Sequence, residues 1–146
     1  AVCEGVPRAR KGTITGNIGR HPKDRQRMAV PAEGGKAAVT HYVVVRPLPT
    51  PLPHAGEGSR TPSRAAGEGI AALVEISLET GRTHQIRVHF AHIGHPLVGD
   101  ATYGGKRRKA GVPPFHRQAL HAWKLRLIHP DSGEAMEFEA PLPEDM

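Results

Sequence analysis

Apolar and polar residues alternate from Val74 to Glu79, with Val74, Ile76 and Leu78 set against Glu75, Ser77 and Glu79, and only Leu73 out of phase. A period of two is that of a half-buried strand. The pattern breaks at Thr80-Gly81. From Thr83 a second period takes over: Ile86, Phe90 and Ile93 recur at steps of four and three, so one stripe of a short helix faces a core until Gly94 and Pro96 end it. Ala37 to Val45, AAVTHYVVV, concentrates β-branched and aromatic residues and is predicted to be a central strand, with Tyr42 packed on the sheet as an interior residue. Gly12 to Ile18 is a shorter strand between glycines. Leu120 to His129 and Ala135 to Ala140 are predicted to pair across the tight turn Pro130-Asp131-Ser132-Gly133, with Leu125 and Leu127 meeting Met136 and Phe138. Residues 46 to 69 follow no period. Their prolines, glycines and small polar residues, with AGEG at 55–58 and again at 66–69, predict a flexible surface insertion. The sum is an α+β fold, a mostly antiparallel β-sheet with one short helix after the central strand.

With 146 residues the chain is one domain at most, and 38% hydrophobic content with only 4% aromatic implies a core of Val, Leu, Ile and Ala. Charge changes the picture more. Twenty Lys and Arg face 14 Asp and Glu, for a net charge of +6 and a pI near 10.0, which favours a polyanionic partner. The excess is clustered at Arg8, Arg10 and Lys11, at Arg20, Lys23, Arg25 and Arg27, and at Lys106, Arg107, Arg108 and Lys109. Cys3 is the only cysteine, so no internal disulfide forms, and no apolar run reaches membrane-spanning length. With no signal-peptide pattern at its start, the chain is expected to be cytoplasmic, away from the membrane.

The strand-to-helix turn carries the densest candidate chemistry. Arg82, Thr83, His84, Gln85 and Arg87 surround a helix N-terminus, whose free amides favour anions, so this region reads as a phosphate or carboxylate site. Arg87 leaves the apolar stripe at its edge, where its stem packs and its guanidinium can grip a carboxylate in two prongs, which lysine could not copy. Asp100, between glycines in GHPLVGDATYGG, could act as a general base but more naturally ties down its own backbone amides. His84, His89, His92 and His95 crowd the helix and its exit, and suit either a metal site or RNA contacts.

TGRTHQIRVH at 80–89 followed by GHPLVGDATYGG at 94–105 resembles the third signature block of RNA pseudouridine synthases of the RluA/RluD type. The similarity extends through GRHPKDRQRMAV (19–30), AVTHY (38–42) and the segment from Arg117 to Met146. The resemblance implies that residues 1–146 are the C-terminal portion of a pseudouridine synthase catalytic domain, interrupted at 46–69. It implies isomerisation of uridine to pseudouridine in structured RNA, ribosomal RNA first, without cofactor or metal. Arg87 would be the cation beside a catalytic aspartate, and Arg82, Thr83, His84, Gln85, Arg20, His21, Lys106, Arg107 and Arg108 would touch RNA. The family's HRLD block, which carries that aspartate, is absent here, as is a functional tyrosine upstream. Asp24, Asp100, Asp131 and Asp145 are the only aspartates, and none has an HRLD-like context. The expectation is an inactive fragment with Arg87 awaiting a partner, and with apolar surface left for the missing half or for self-association. The alternatives are a non-catalytic basic RNA-binding module and a histidine-rich metal-binding protein.

Overall fold

The computed structural model describes residues 1–48, 69–104, 112 and 115–145. Seven strands and one helix run β1 (Val2–Glu4), β2 (Lys11–Arg20), β3 (Met28–Ala29), β4 (Lys36–Leu48), β5 (Ala71–Leu78), α1 (Gln85–His92), β6 (Lys124–Ile128) and β7 (Ala135–Glu139). The first five form one antiparallel sheet in the order β1-β5-β4-β2-β3, and β6 and β7 form a separate hairpin. The α+β architecture read from the hydrophobic pattern is the one observed, with AAVTHYVVV at the sheet's centre.

Several boundaries move. Strand β2 runs on to Arg20, so that residue ends a strand instead of lying in the basic loop. Strand β4 continues through Arg46, Pro47 and Leu48, which pair with Leu73, Ala72 and Ala71 past a bulge after Val44. The extra residue of the bulge is Val45, between the Val44–Val74 and Arg46–Leu73 pairs, and Pro47 lies two residues beyond it opposite Ala72. The rest of the aperiodic stretch, residues 49–68, lies outside the described residues.

The core lies between one sheet face and α1. Ile14, Tyr42, Val44, Ala72 and Val74 from three strands meet Phe90 and Leu97, with the Tyr42 and Phe90 rings edge to face at 5.8 Å. Tyr42 is an interior residue, as expected. Burying Phe90 alone contributes about 2–3 kcal/mol. The other faces are less protected. Val43, Val45 and Leu78 are exposed on the sheet, as are Leu125, Ile128 and Phe138 on the hairpin, where Leu125 sits opposite Phe138 and Leu127 opposite Met136. Among the described residues no helix is long and apolar enough to cross a membrane.

The segment after α1 is laid along β1, and this positions the site. Glu4 N–H donates to the Pro96 carbonyl, Cys3 bridges to Leu97, and Val98 N–H donates to the Val2 carbonyl. Val98 in turn accepts from Ala119 N–H, and Val2 N–H donates to Ala119, so three remote stretches share one knot of backbone hydrogen bonds. Gly99 sits at its tightest point with φ of 73°, and a Cβ there would stand 2.1 Å from the Arg117 carbonyl oxygen and 2.6 Å from Phe115 Cβ. Only glycine fits both the conformation and the space. Gly99→Ala should cost at least about 2 kcal/mol, measured by urea denaturation. A loss below half of that would mean that residues 115–117 do not pack where they are seen.

Candidate functional site

The turn from β5 into α1 is held by a glutamine. Gln85 is 3% exposed, and its Nε2 donates to the Val39 carbonyl (2.9 Å) and Thr40 Oγ1 (3.1 Å). Its Oε1 accepts from the Arg82 amide and the Thr80 hydroxyl, both at 2.9 Å. Gln85 therefore anchors the helix start to β4, and the expectation that it touches RNA does not hold, because its whole amide is spent inside the protein. His89, one turn on, places Nδ1 2.9 Å from Thr40 Oγ1. Polar Gln85 and His89 share the buried face of α1, which explains why the apolar stripe Ile86-Phe90-Ile93 captures only part of the packing.

Arg87 projects toward the loop at 94–104. Its Nε and Nη2 donate to Asp100 Oδ2 and Oδ1, each at 2.8 Å, in a two-pronged ion pair. The expectation of a guanidinium awaiting its anion is corrected: this chain supplies one, because the loop's anchoring on β1 carries Asp100 to it. Asp100 Oδ1 also accepts the amides of Thr102 and Tyr103 at 3.0 Å. The Asp100 side chain is 0% exposed and that of Arg87 14%. Burial pushes the Asp100 carboxyl up, but the Arg87 hydrogen bonds and the two amides outweigh it and hold the group below the usual carboxylate range. The hydrogen bonds to Asp100 raise Arg87 further. Among the described residues, Arg87 Nη1 makes no hydrogen bond. The pair is thus a fixed cation with one open edge, backed by a carboxylate that solvent does not reach.

Tyr103 joins this pair to the rest of the site. Its ring lies 4.8 Å from the Arg87 guanidinium carbon and 5.4 Å from that of Arg27, an arrangement in which each cation meets the negative face of the ring. Its hydroxyl accepts from the Met28 amide (2.9 Å) and lies 2.8 Å from His84 Nδ1. His84 is the one non-glycine residue with positive φ among those described, 56°, and caps α1 without a side-chain hydrogen bond to the helix. The contact with Tyr103 holds it in that disfavoured left-handed state.

Residues 1–92 match the sequence model of the RNA pseudouridylate synthases. An uncharacterized RNA pseudouridine synthase of Chlorobaculum parvum is 44% identical over 161 residues, spanning 100% of this chain and 43% of its own length. The chain belongs to the RNA pseudouridine synthase family. The ribosomal large subunit pseudouridine synthase D of Escherichia coli K12 is 46% identical over 144 residues, spanning 92% of this chain and 38% of that enzyme. Among solved structures, human RNA pseudouridylate synthase domain containing 1 superposes with a TM-score of 0.74 at 31% identity, over 98% of this chain and 53% of the human one. The chain therefore spans roughly two-fifths to one half of the relatives it matches.

Against this pseudouridine synthase fold the remaining candidates separate. Arg82 and Thr83 are exposed at the turn, and Arg82 Nε donates to the Ala37 carbonyl at 3.1 Å. Arg20 is exposed, with Nη1 on the Arg25 carbonyl, and His21 Nδ1 accepts the Lys23 and Asp24 amides to close the basic loop. Lys106, Arg107 and Arg108 lie outside the described residues. The histidines do not gather. Besides His84 and His89, His95 Nδ1 goes to the Glu4 carbonyl, and His92 is exposed. Among the described residues no three potential ligands converge on a metal. Tyr103 was missed, although its place three residues after the only carboxylate in its loop is a usable signal: an Asp that captures the amide of its third neighbour fixes where that neighbour points.

Two measurements follow. Asp100→Asn keeps an acceptor for the backbone amides but leaves Arg87 without its anion, and should cost about 3 kcal/mol in a urea melt. A near-neutral result would show the pair to be solvent-screened. The second concerns His89, whose Nε2 is buried near the Gly16 backbone and, among the described residues, lacks a partner at full hydrogen-bond geometry. Burial lowers its pKa below the ordinary value, the Gly16 backbone opposes the shift, and His92 adds to it. A lowered folded value means that the unfolded chain takes up the proton first, so stability is complete above about pH 6.5 and falls as pH drops below it. Asp100 adds its own loss only below about pH 3.9. His89→Asn, whose Oδ1 can replace Nδ1 toward Thr40, should flatten the slope between neutral pH and pH 5. An unchanged slope there would assign it to another group.

Proposed function

We propose that this protein serves the conversion of uridine to pseudouridine in structured RNA, ribosomal RNA foremost, and that residues 1–146 supply the cationic half of the site as the C-terminal portion of the catalytic domain. The observation that carries the reading is Arg87, clamped by Asp100, whose side chain is fully buried, with Nη1 unused among the described residues and its own side chain 14% exposed. Isomerisation breaks the bond between uracil and ribose, turns the base and rejoins it through carbon. A carboxylate working at the sugar needs a neighbouring cation to stay ionised and oriented, and a rigid guanidinium suits that task without reorganising.

Asp100 is not that working carboxylate. Its Oδ1 accepts three hydrogen bonds, its Oδ2 accepts one, and its side chain is wholly buried, so it cannot reach a ribose. It is a positioning residue for Arg87. The catalytic aspartate belongs to an HRLD-type segment, which the 146 residues do not contain. The partners proposed are RNA and a polypeptide segment bearing that block. The exposed Val43 and Val45 on the sheet give such a segment, or a second copy, a surface to cover. Arg20, His21, Arg82, Thr83, Lys106, Arg107 and Arg108 serve RNA contact in this reading, and the compartment is the cytoplasm. Of the aperiodic stretch 46–69, Arg46, Pro47 and Leu48 belong to β4, so the insertion proposed narrows to residues 49–68, a lengthening that costs little.

The second reading, a basic module that grips RNA without chemistry, is favoured for the isolated chain by the same saturation of Asp100. Purified 146-residue chain mixed with RNA carrying tritium at uridine C5 should release no label above a heat-treated control, while binding that RNA in a salt-dependent manner. Tritium release by this chain would place a working carboxylate among its own residues and overturn the assignment.

A further inference from the structure

Beside the Arg87 site lies a groove of about 500 Å³ between the end of β2, the start of β4 and the turn before α1. Arg20, Lys36, Arg82 and Thr83 line it, with Met28 and Gly35. Three features set it apart from an ordinary charged surface. No carboxylate is among its described lining residues, and among the described residues none of its three cations takes part in an ion pair. The cations at the hairpin behave differently: Lys124 and Arg126 are both matched by glutamates. Second, the two guanidiniums are pinned by backbone carbonyls, Arg82 through Nε on Ala37 and Arg20 through Nη1 on Arg25, so each is oriented, and its other N–H groups bond to none of the described residues. Third, the groove is joined to the catalytic cation. The Met28 amide donates to Tyr103 Oη, and the Tyr103 ring carries Arg87 on its face.

We propose that this groove binds the phosphodiester backbone of the RNA strand next to the nucleotide presented to Arg87, with Lys36, Arg82 and Arg20 as the phosphate-binding cations and Thr83 Oγ1 as a further donor. The inference rests on the RNA reading above and deepens it by naming the chemical group and the place. Backbone, and not base, is the fit because no aromatic side chain lines the groove for a base to stack on, whereas oriented guanidiniums and an ammonium match phosphate oxygens. At the adjoining turn, a Cβ built on Gly81 would meet nothing within 4 Å, so a strand can approach the backbone there. Through Tyr103, a phosphate seated in the groove is held in fixed register with the guanidinium that faces the reacting sugar. Extruding a nucleotide from a structured RNA needs such a grip on its flanking backbone.

The test is the salt dependence of binding of a fluorescently labelled single-stranded RNA to the full 146-residue chain. Each phosphate contact on a single strand contributes a slope of about −0.7 in log affinity against log salt. Lys36→Gln and Arg82→Gln should each reduce the magnitude of the slope by about 0.7, the pair together by about twice that, and Lys124→Gln on the hairpin should leave it unchanged. The losses should be equal for RNAs of unrelated sequence. Because Arg82 also bonds to Ala37, Lys36→Gln, which breaks no hydrogen bond seen here, carries the test if Arg82→Gln perturbs folding. RNA binding with an unaltered slope in Lys36→Gln overturns the groove and leaves the family reading standing. Losses that depend on base sequence also overturn it, since phosphates are common to all sequences. Absence of salt-dependent RNA binding by the unmodified chain overturns both.

Discussion

A guanidinium forked onto a carboxylate that water does not reach is the constraint on which the site depends. Removing two opposite charges from solvent is favourable only when geometry and additional hydrogen bonds compensate for the lost hydration. Here Asp100 receives two bonds from Arg87 and two from backbone amides, so the desolvated carboxylate has no unmet demand. The fold is arranged to deliver that loop. Residues 96–98 are laid against β1, Gly99 turns where no side chain fits, and the carboxylate arrives at Arg87 of α1. Arg87 is rigid because residues thirteen positions away are rigid.

The protein treats its cations in two ways, and the contrast is informative. On the hairpin, Lys124 and Arg126 face Glu137 and Glu139 across the strands, and Trp123 Nε1 adds a hydrogen bond to Glu139. Such exposed pairs contribute little to stability, but they neutralise the local field. Around the strand-to-helix turn no acid among the described residues pairs with Arg20, Lys36 or Arg82, while Tyr103 gathers Arg27 and Arg87 on its ring. Part of the excess of a chain with net charge +6 is thereby gathered around the turn into α1.

Much of this was legible in the chain. The switch of period at Thr80-Gly81 placed β5 and α1, and AAVTHYVVV placed the central strand, because burial on one face writes itself into spacing. The two-pronged capacity of Arg87 followed from its position at the edge of the helical stripe. What escaped were contacts whose partners are remote in sequence. Gln85 looked like a surface hydrogen-bonding residue, yet it is the buried bolt between α1 and β4, and nothing local distinguishes an amide aimed at Val39 from one aimed at solvent. Asp100 looked like a loop residue tying its own amides, which it is, but one oxygen atom can do that and accept from Arg87 as well. The predicted strand stopped at Val45, where the aperiodic stretch begins, yet the ladder shifts register there and runs on to Leu48.

The left-handed start of α1 has a kinetic corollary. Eight residues are too few to hold a helix in water without tertiary support, and this helix opens on His84, whose strained backbone is secured by the phenol of Tyr103 nineteen positions later. The helix therefore cannot be an early seed around which the domain condenses. It matures only when the downstream loop docks, so the Arg87–Asp100 pair is assembled late, and a peptide copied from residues 80–95 would carry its chemical groups without their arrangement.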